Sequence, residues 1–385
     1  MLDPGSTGFD EARVGNALAG RRILLTGHTG FKGGWLALWL RRLGAEVVGV
    51  GLQPPPGPSM FAAAGVAQAI DSRFGDIRVP AEFAAAVGDF DAEIVFHLAA
   101  QAIVRRSYAD PVETFLTNAV GTAVVLDAAR RMKSLRAIVV VTSDKCYDNR
   151  EWAWGYRESD ALGGADPYSA SKACTELVAA SYRRSFFAHP DGAQLATVRA
   201  GNVIGGGDWA EDRLLPDIVR AVVADTPVMI RNPASVRPWQ HVLDSLGGYL
   251  TVAQRLLTDG AAMAEAWNFG PDPRSVVDVE RLAGLMARSW GPGGPRFGFG
   301  KGGGLHEATL LGLDSSKAAA RLGWRPVLDL EQTVALTTDW YRSWIDGRCD
   351  MAALSRAQIA AFVDMAGNSR LESRIKLAGD HQRCA

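Results

Sequence analysis

Two short segments carry side chains that could move protons. In "VTSDKC", Ser143, Asp144 and Lys145 follow a run of valines, and in "DPYSASK", Tyr168 and Lys172 stand one helical turn apart. A lysine cation near a phenol favours the phenolate, so a tyrosine with an ordinary pKa of about 10 can become a base closer to neutral pH. Such a base takes the proton of an alcohol while a hydride leaves the attached carbon. The pair therefore predicts redox chemistry at a hydroxyl group.

The neighbours Asp144 and Lys145 admit two interpretations. A charged pair after a strand is commonly part of a solvated loop. Alternatively, the two side chains are an acid and a base held at the strand end. A lysine must be neutral to act as a base, although its ordinary pKa is about 10.4, so burial or nearby cations would have to depress it. The segment itself leaves both interpretations open.

A glycine-rich segment, "TGHTGFKGG", supplies Gly27, Gly30 and Gly33. It follows a predicted strand, "RILLTG", and opens a predicted helix, so its context is that of a dinucleotide-binding loop. Glycine lets the backbone approach a pyrophosphate, and the helix N-terminus offers free N–H groups. Among the intervening residues, Lys32 could face a phosphate or cover the helix surface.

The end of the second predicted strand is less informative. An NAD site commonly carries an acid there to bind the ribose diol, whereas "GVGLQPPPGP" has neither an acid nor an arginine. The second strand therefore does not separate NAD from NADP.

Around these segments, buried strands alternate with helices. "RILLTG", "AEVVGVGL", "DAEIVFHLAA", "LRAIVVVTSD" and "LATVRAGNVIG" are predicted strands, and residues 111–133 and 168–188 are among the predicted helices. This alternation predicts an α/β fold with a Rossmann-type, doubly wound parallel sheet. After about residue 200 the pattern loosens into short elements and Gly/Pro-rich pieces, which indicates a smaller C-terminal substrate-binding domain. The run 291–304 is predicted to be a loop.

Four segments follow from this organisation. Residues 1–20 are an N-terminal extension, 21–200 form the dinucleotide-binding domain together with 240–266, 201–345 form the substrate domain, and 346–385 form a C-terminal helix and polar tail.

Composition excludes several classes of function. The formal net charge of −1 gives no electrostatic reason to expect nucleic acid or a membrane surface as a partner. No apolar run approaches the roughly 20 residues that span a bilayer, and the N-terminus does not read as a secretory signal. The four cysteines, at 146, 174, 349 and 384, have neither zinc-site nor disulfide spacing. We therefore expect a cytoplasmic protein with reduced thiols and no metal site.

The order of these parts resembles the extended short-chain dehydrogenase/reductases that act on nucleotide sugars, over residues 20–345. "FHLAAQ", "TNAVGT", "RAGNVIGGGD" and "RPWQHVLD" match the patterns of that family. Longer matches, such as "TGHTGFKGGWL", "VTSDKCYDN" and "RAGNVIGGGDWAxDR", resemble its CDP-glucose 4,6-dehydratase branch. That resemblance implies oxidation at C4 of the hexose, loss of water across C5 and C6, and return of the hydride to C6.

The resemblance also implies roles for individual residues. Asp144 would be the acid for the C6 hydroxyl, and Lys145 would replace a glutamate as the base at C5; a substrate-binding cation is the alternative for Lys145. Cofactor-binding residues would be Gly27, His28, Gly30, Phe31, Lys32, Gly33, Asp76, Ile77, Leu98, Ala99, Ala100, Asn118, Tyr168 and Lys172. Substrate-binding residues would be Gln101, Asn202, Arg213, Arg231 and Arg237.

The expected ligands are NAD, recycled in each turnover, and a CDP-sugar. Helices 111–133 and 168–188 are candidates for a helix bundle that forms a homodimer or homotetramer. Two other functions remain: another sugar-nucleotide dehydratase or an epimerase, and a cofactor-binding regulator without activity. An epimerase needs no groups beyond Ser/Thr, Tyr and Lys, so Asp144 and Lys145 are the residues that favour a dehydratase.

Overall fold

The computed structural model of the chain describes residues 8–230, 232–299, 310–347 and 349–383. At its centre lies a sheet of seven parallel strands in the spatial order β10-β6-β5-β4-β1-β2-β3. These strands are β1 (Arg22–Thr26), β2 (Glu46–Gly51), β3 (Asp71–Phe74), β4 (Ile94–His97), β5 (Ala137–Val141), β6 (Gln194–Ala200) and β10 (Ala266–Phe269). The predicted parallel α/β fold is therefore confirmed.

Smaller sheets lie at the carboxyl ends of these strands. One has the order β11-β9-β7 and the other pairs β12 with β8. Their strands are β7 (Asn202–Ile204), β8 (Val228–Ile230), β9 (Val236–His241), β11 (Val276–Asp278) and β12 (Phe297–Phe299). The domain boundaries drawn from the sequence stay a prediction.

Helices cover both faces of the large sheet. In chain order they are α1 (Glu11–Leu18), α2 (Phe31–Arg42), α3 (Met60–Ala63), α4 (Val66–Ala69), α5 (Pro80–Val87), α6 (Val104–Ala109), α7 (Pro111–Phe115), α8 (Gly121–Ala129), α9 (Pro167–Ser185), α10 (Leu214–Val223), α11 (Val242–Asp259), α12 (Val279–Trp290), α13 (Ser316–Leu322), α14 (Leu330–Asp346) and α15 (Met351–Arg383). A π-helical turn, Leu116–Val120, joins α7 to α8, and 3₁₀ turns span Asp144–Cys146, Gly260–Met263 and Pro273–Ser275.

The central strands are buried on both faces, which explains their nearly continuous apolar sequences. Successive side chains of β5 point to opposite faces, so Val139 joins one apolar cluster and Val140 the other. The larger cluster contains the fully buried Trp35 and Trp39 of α2, whose predicted apolar face packs there. The sheet is thus a rigid support for the loops that follow its strands.

Two predicted elements differ from the sequence-based expectation, and two strands of the large sheet were not predicted. The predicted strand 195–205 is broken at Gly201 into β6 and β7, which belong to different sheets. A Cβ at Gly201 would lie 2.9 Å from the ring of Pro238, so the close approach of β9 requires glycine there. The predicted helix 111–133 is interrupted by the π-helical turn and ends at Ala129. Strands β3 and β10 were not predicted from the sequence.

The remaining segments bear on earlier expectations. Residues 300–309, which include part of the predicted glycine-rich loop, and Cys384 lie outside the described residues. Within the described chain, Cys146, Cys174 and Cys349 are free thiols, and none of the helices is both long and apolar enough to cross a bilayer.

Candidate active site

A cavity of about 1240 Å³ opens where the strands of the large sheet end, between this sheet and the smaller C-terminal sheets. Ligands of open parallel sheets bind at this edge. The loops after β1, β4, β5 and β6 form one wall, and residues from α10, β8 and β9 form the other. The cavity therefore brings together segments that are far apart in the chain.

The glycine-rich loop joins β1 to α2 at one end of this cavity. Gly27 has a φ of +79°, and a Cβ there would lie 2.7 Å from the backbone nitrogen of Ala99. A Cβ at Gly33 would lie 2.0 Å from the carbonyl oxygen of Gly27, so the turn closes only with glycine at both positions. Helix α2 begins after Gly30, which has no side chain to cap it. Its first N–H groups are therefore available to an anion such as a pyrophosphate.

The two unusual residues of this loop have different surroundings. His28 is absent from the cavity wall as far as the chain is described; its ring is buried, with Nε2 2.7 Å from the Ser72 hydroxyl. Burial lowers the pKa of His28 to about 4, so the ring is neutral at pH 7. It fits because Gly49 of β2 has no side chain: a Cβ there would lie 2.5 Å from the ring. We assign His28 to packing behind the loop.

Lys32, in contrast, lines the cavity. Its Nζ donates to the Tyr249 hydroxyl at 3.4 Å and lies 5.7 Å from the centre of that ring. Burial lowers the pKa of Lys32 to about 7, and the like charges of Arg213 and Lys172 add to this effect. The negative charges of Asp144 and Asp208 oppose it. Lys32 therefore lies near the charged groups of Asp144, Lys172 and Arg213.

Of the other predicted cofactor residues, all but Asn118 line the cavity. Phe31, Gly30, Asp76, Ile77, Leu98, Ala99 and Ala100 line the cavity. Asp76 is engaged by Arg78, whose Nη2 lies 2.6 Å from Oδ2, and this hydrogen bonding lowers the pKa of Asp76. Arg78 also pairs with Glu113 at 3.1 Å. This end of the cavity thus has two carboxylates around one guanidinium.

Asn118 supports the wall from behind. Its amide Oδ1 accepts from the backbone N–H of Gln101 at 2.9 Å, and Nδ2 donates to the Gln101 carbonyl at 2.9 Å and to Ser171 Oγ at 2.8 Å. Gln101 itself lines the cavity, and its side chain bonds to Ile103 and Thr114. The amide of Asn118 therefore holds the loop after β4 against helix α9.

The segment after β5 places three predicted catalytic residues on the cavity wall. Ser143 caps the 3₁₀ turn: its hydroxyl accepts from the N–H of Lys145 at 3.2 Å and donates to Asp144 Oδ1 at 2.9 Å. Asp144 is 3% exposed, and its Oδ2 has no hydrogen-bond partner within the described chain. Burial raises the pKa of Asp144, while the adjacent charge of Lys145 opposes the rise. An unpaired buried oxygen is best satisfied when it carries a proton and donates to a ligand.

Tyr168 and Lys172 enter the same cavity from the first turns of α9, which Asp166 caps by accepting from the N–H of Ser169 at 2.9 Å. The sequence-based expectation of a lowered phenol pKa is wrong for the chain alone, because burial raises the pKa of Tyr168 to about 12. A hydrogen bond with Ser143 opposes that rise. Burial lowers the pKa of Lys172 to about 8, and its Nζ donates to the Val141 carbonyl at 3.4 Å. The catalytic role of Tyr168 stays a prediction, and it requires a bound cation or substrate that lowers the pKa of the phenol.

Three of the five predicted substrate residues, besides Gln101, line the cavity: Asn202, Arg213 and Arg237. Arg213 donates from Nη1 to Asp208 Oδ2 at 2.8 Å, and the charge of Asp208 raises the pKa of Arg213. Arg237 is 9% exposed and donates to the Val236 carbonyl at 2.9 Å. The remaining one, Arg231, lies outside the described residues. Guanidinium groups that line a cavity are suited to phosphate oxygens.

Two residues of this site were missed from the sequence. Asp208 is buried and forms an ion pair with Arg213. Its position five residues before that arginine, in the "GGGDWAEDR" segment, could have indicated this contact. Tyr249, which contacts Lys32, stands 217 residues away in the chain and had no local signal. No group of three or more metal-ligating side chains occurs among residues for which a structure is described.

Comparisons with known proteins agree with this geometry. The family model described as "NAD dependent epimerase/dehydratase family" matches residues 23–269. A CDP-glucose 4,6-dehydratase of Salmonella typhimurium is 48% identical over 352 residues, which cover 90% of this chain and 98% of that protein. A dTDP-glucose 4,6-dehydratase of Streptomyces antibioticus is 32% identical, covering 66% of this chain and 71% of the relative.

A solved structure gives the same fold. The dTDP-glucose 4,6-dehydratase DesIV of Streptomyces venezuelae, crystallised with NAD and TYD bound, superposes with a TM-score of 0.71 at 26% identity, over 84% of this chain and 97% of that one. The glycine loop, the parallel sheet and the matches in sequence all lead to one assignment: the chain belongs to the NAD-dependent epimerase/dehydratase family.

Proposed function

We propose that this protein is an NAD-dependent 4,6-dehydratase that converts CDP-D-glucose to CDP-4-keto-6-deoxy-D-glucose. The observation that carries the proposal is Asp144: a buried carboxyl with a raised pKa and an unpaired oxygen, on the same cavity wall as Tyr168. An epimerase has no use for a second proton donor. The 48% identity to a CDP-glucose 4,6-dehydratase supports the same reaction and the cytidine nucleotide.

The cavity fits NAD at its glycine-loop end. Closely packed Gly27 and Gly33 leave backbone room for a pyrophosphate, and Asp76, which the family resemblance assigns to cofactor binding, lines the same cavity. The solved structure of DesIV, a dTDP-glucose 4,6-dehydratase with NAD bound, supports NAD as the cofactor. When bound, NAD supplies the hydride acceptor for C4 and the hydride donor for C6.

The chain's own residues move the protons. Tyr168, hydrogen-bonded to Ser143, removes the proton of the C4 hydroxyl. The resulting C4 ketone acidifies the C5 proton, which Lys145 removes, and Asp144 protonates the departing C6 hydroxyl, so that water leaves. Lys145 then returns its proton to C5. The proton gained by Tyr168 balances the one lost by Asp144, and the net change is the loss of one water.

Incubation of the protein with NAD and each of CDP-, dTDP-, UDP- and GDP-glucose tests the function. We expect mass spectrometry to show loss of one water from CDP-glucose in preference to the other three. With deuterium at C4 of glucose, the label should appear in the C6 methyl group. An unchanged mass with inverted C4 would instead identify an epimerase, and no change with any of the four nucleotides would favour the regulator.

The role of Lys145 can be decided by comparing two variants. Arginine keeps the positive charge but cannot act as a base, and methionine keeps neither property. If Lys145 removes the C5 proton, both Lys145→Arg and Lys145→Met should lose about 10²- to 10⁴-fold in turnover, the usual contribution of a general base. Steady-state assays with CDP-glucose measure this. Wild-type turnover in Lys145→Arg would instead make Lys145 a substrate-binding cation.

We also propose that the protein forms a homodimer, or a tetramer of two such dimers, in the cytoplasm. Val112, Leu116 and Val120 are 67%, 43% and 46% exposed at helical spacing along α7 and the π-helical turn, and Leu177 of the neighbouring α9 is 58% exposed. Such a row of exposed apolar side chains is suited to packing against the same helices of a second copy of the chain. The free thiols of Cys146 and Cys174 support a reducing compartment.

Light scattering after gel filtration tests the assembly. Leu177→Glu should reduce the particle to half of its mass or less, because a charge would be buried at the interface. Val223→Glu, a change at an exposed position of α10 (57% exposed), should leave the mass unchanged. Equal masses for both variants and the unchanged protein would contradict this interface.

A further inference from the structure

Directly behind the active site lies a buried ion pair that the proposed reaction does not use. Glu176 of α9 and Arg199 of β6 have side chains that are 4% and 3% exposed. Arg199 donates to both carboxylate oxygens, from Nε to Oε1 at 2.8 Å and from Nη2 to Oε2 at 2.9 Å. Burial alone would raise the pKa of Glu176, but the charge and hydrogen bonds of Arg199 hold that pKa below its ordinary value, so the pair is charged.

The pair reaches both ends of the turn that carries the predicted acid and base, residues 143–146. At the N-terminal end, Thr142 donates from Oγ1 to Glu176 Oε1 at 2.5 Å. At the C-terminal end, Arg199 Nη1 donates to the Tyr147 hydroxyl at 2.6 Å and lies over that ring, 4.9 Å from its centre. Ser143, Asp144 and Lys145 are therefore held between two contacts with one ion pair.

The same pair is anchored on the helix of the redox residues. Glu176 follows Lys172 by one helical turn and Tyr168 by two, so the three side chains share a face of α9. Its negative charge also acts on Lys172, where it opposes the loss of the proton. A displacement of Glu176 would change the distance between α9 and the turn after β5.

Stability alone is a weak reason for this arrangement. Removing two charges from water is costly before the pairing is counted, and apolar residues of similar volume commonly serve as well or better. Here the contacts with Thr142 and Tyr147 flank the turn and Glu176 lies on α9, so the pair connects the two segments whose side chains must act on one sugar. Displacements of about 1 Å in an active site can cost about 10²-fold in rate.

We propose that Glu176 and Arg199 are positioning residues that fix the turn 143–146 against helix α9, so that oxidation at C4 and loss of water at C5–C6 act on a single substrate pose. The proposal rests on the 4,6-dehydratase function. It predicts that loosening the turn harms the elimination more than the oxidation, because Tyr168 and Lys172 stay on their helix.

A pair of matched threonine variants tests it. Thr142 and Thr197 are both buried, and each donates one hydrogen bond to Glu176, but Thr197 Oγ1 binds Oε2 at 2.8 Å from within β6, remote in sequence from the turn. Thr142→Val should lower kcat about tenfold or more with KM for CDP-glucose within about twofold, whereas Thr197→Val should keep kcat within about twofold. Thermal unfolding should show similar losses for both, since each deletes a buried hydrogen bond to Glu176, and the second contact of Thr142, with the Val198 carbonyl, is longer at 3.3 Å.

Chemical trapping measures the fraction of oxidised sugar that has not lost water, which a loss of stability alone would not change. Quenching with sodium borodeuteride during turnover reduces a C4 ketone and places deuterium at C4. For Thr142→Val we expect a larger trapped fraction that retains the C6 hydroxyl than for the unchanged protein. Tyr147→Phe removes the hydrogen bond with Arg199 at the other end of the turn and should also increase the trapped fraction. This second variant tests the proposal if Thr142→Val does not fold.

Two results would overturn the proposal: equal kcat for Thr142→Val and Thr197→Val, or trapped sugar that does not increase in Tyr147→Phe. Conversion of CDP-glucose by the unchanged protein is measured in the same series. Its failure would refute the dehydratase function itself, and so is distinguishable from a failure of the positioning role.

Discussion

The Tyr168→Phe variant is expected to lose about 10³- to 10⁴-fold in turnover of CDP-glucose while KM changes little, because the phenolate form of Tyr168 acts as the general base. The phenol is buried in the cavity and hydrogen-bonded to Ser143, so its removal abolishes proton transfer from the C4 hydroxyl without emptying the site. Borodeuteride quenching should then place no deuterium at C4. Tyr182→Phe is the matched control on the same helix, since Tyr182 lies outside the cavity wall as described.

The pH dependence of the unchanged protein should have a definite sign. With the phenol's pKa raised to about 12, the phenolate is scarce at pH 7, and its population grows as pH rises. The positive charge of Lys172, which favours the phenolate, is lost above its pKa of about 8. We therefore expect kcat/KM to increase from about pH 6 and to level off near pH 8. A value that falls over this range, or full activity in Tyr168→Phe, would exclude Tyr168 as the base.

Much of the fold was predictable because its signals are local. Apolar runs followed by glycine or by polar residues marked five strands of the sheet, and the position of Gly27, Gly30 and Gly33 after the first of them marked the phosphate loop. Strand β3 was not predicted because its sequence, "DSRF", is polar. It pairs at the edge of the sheet, where no continuous apolar run is needed. Strand β10 joins the opposite edge from a distant part of the chain.

The parts of the site that were not predictable depend on contacts between distant segments. His28 was expected to bind the cofactor, but its ring is buried in space that Gly49 of β2 leaves free. The sequence of the glycine-rich loop alone does not indicate that space. The partnership of Lys32 with Tyr249 joins α2 to α11. The direction of the Tyr168 pKa followed from how deeply the phenol is buried, which the spacing of Tyr168 and Lys172 does not determine.

The Asp144→Asn variant is expected to separate the two halves of the reaction. Asparagine has nearly the same shape and can still accept the Ser143 hydrogen bond, but its amide cannot deliver a proton to the C6 hydroxyl. Dehydration should fall by about 10²- to 10⁴-fold, the usual contribution of a general acid. Oxidation at C4 depends on Tyr168, so borodeuteride should still place deuterium at C4 of a sugar that keeps its C6 hydroxyl.

A structural measurement on the same variant separates a lost acid from a damaged fold. Burial raises the pKa of Asp144 above its unfolded value, so the carboxyl stabilises the fold only at low pH, and that contribution is lost as pH rises through the folded pKa. Replacing it with a neutral amide should leave the melting temperature unchanged or raise it, most clearly at alkaline pH. An inactive variant that is at least as stable as the unchanged protein, with ketone trapped at C4, would identify Asp144 as the group that removes water. Normal release of the 6-deoxy product, or absence of the trapped ketone, would assign that role elsewhere.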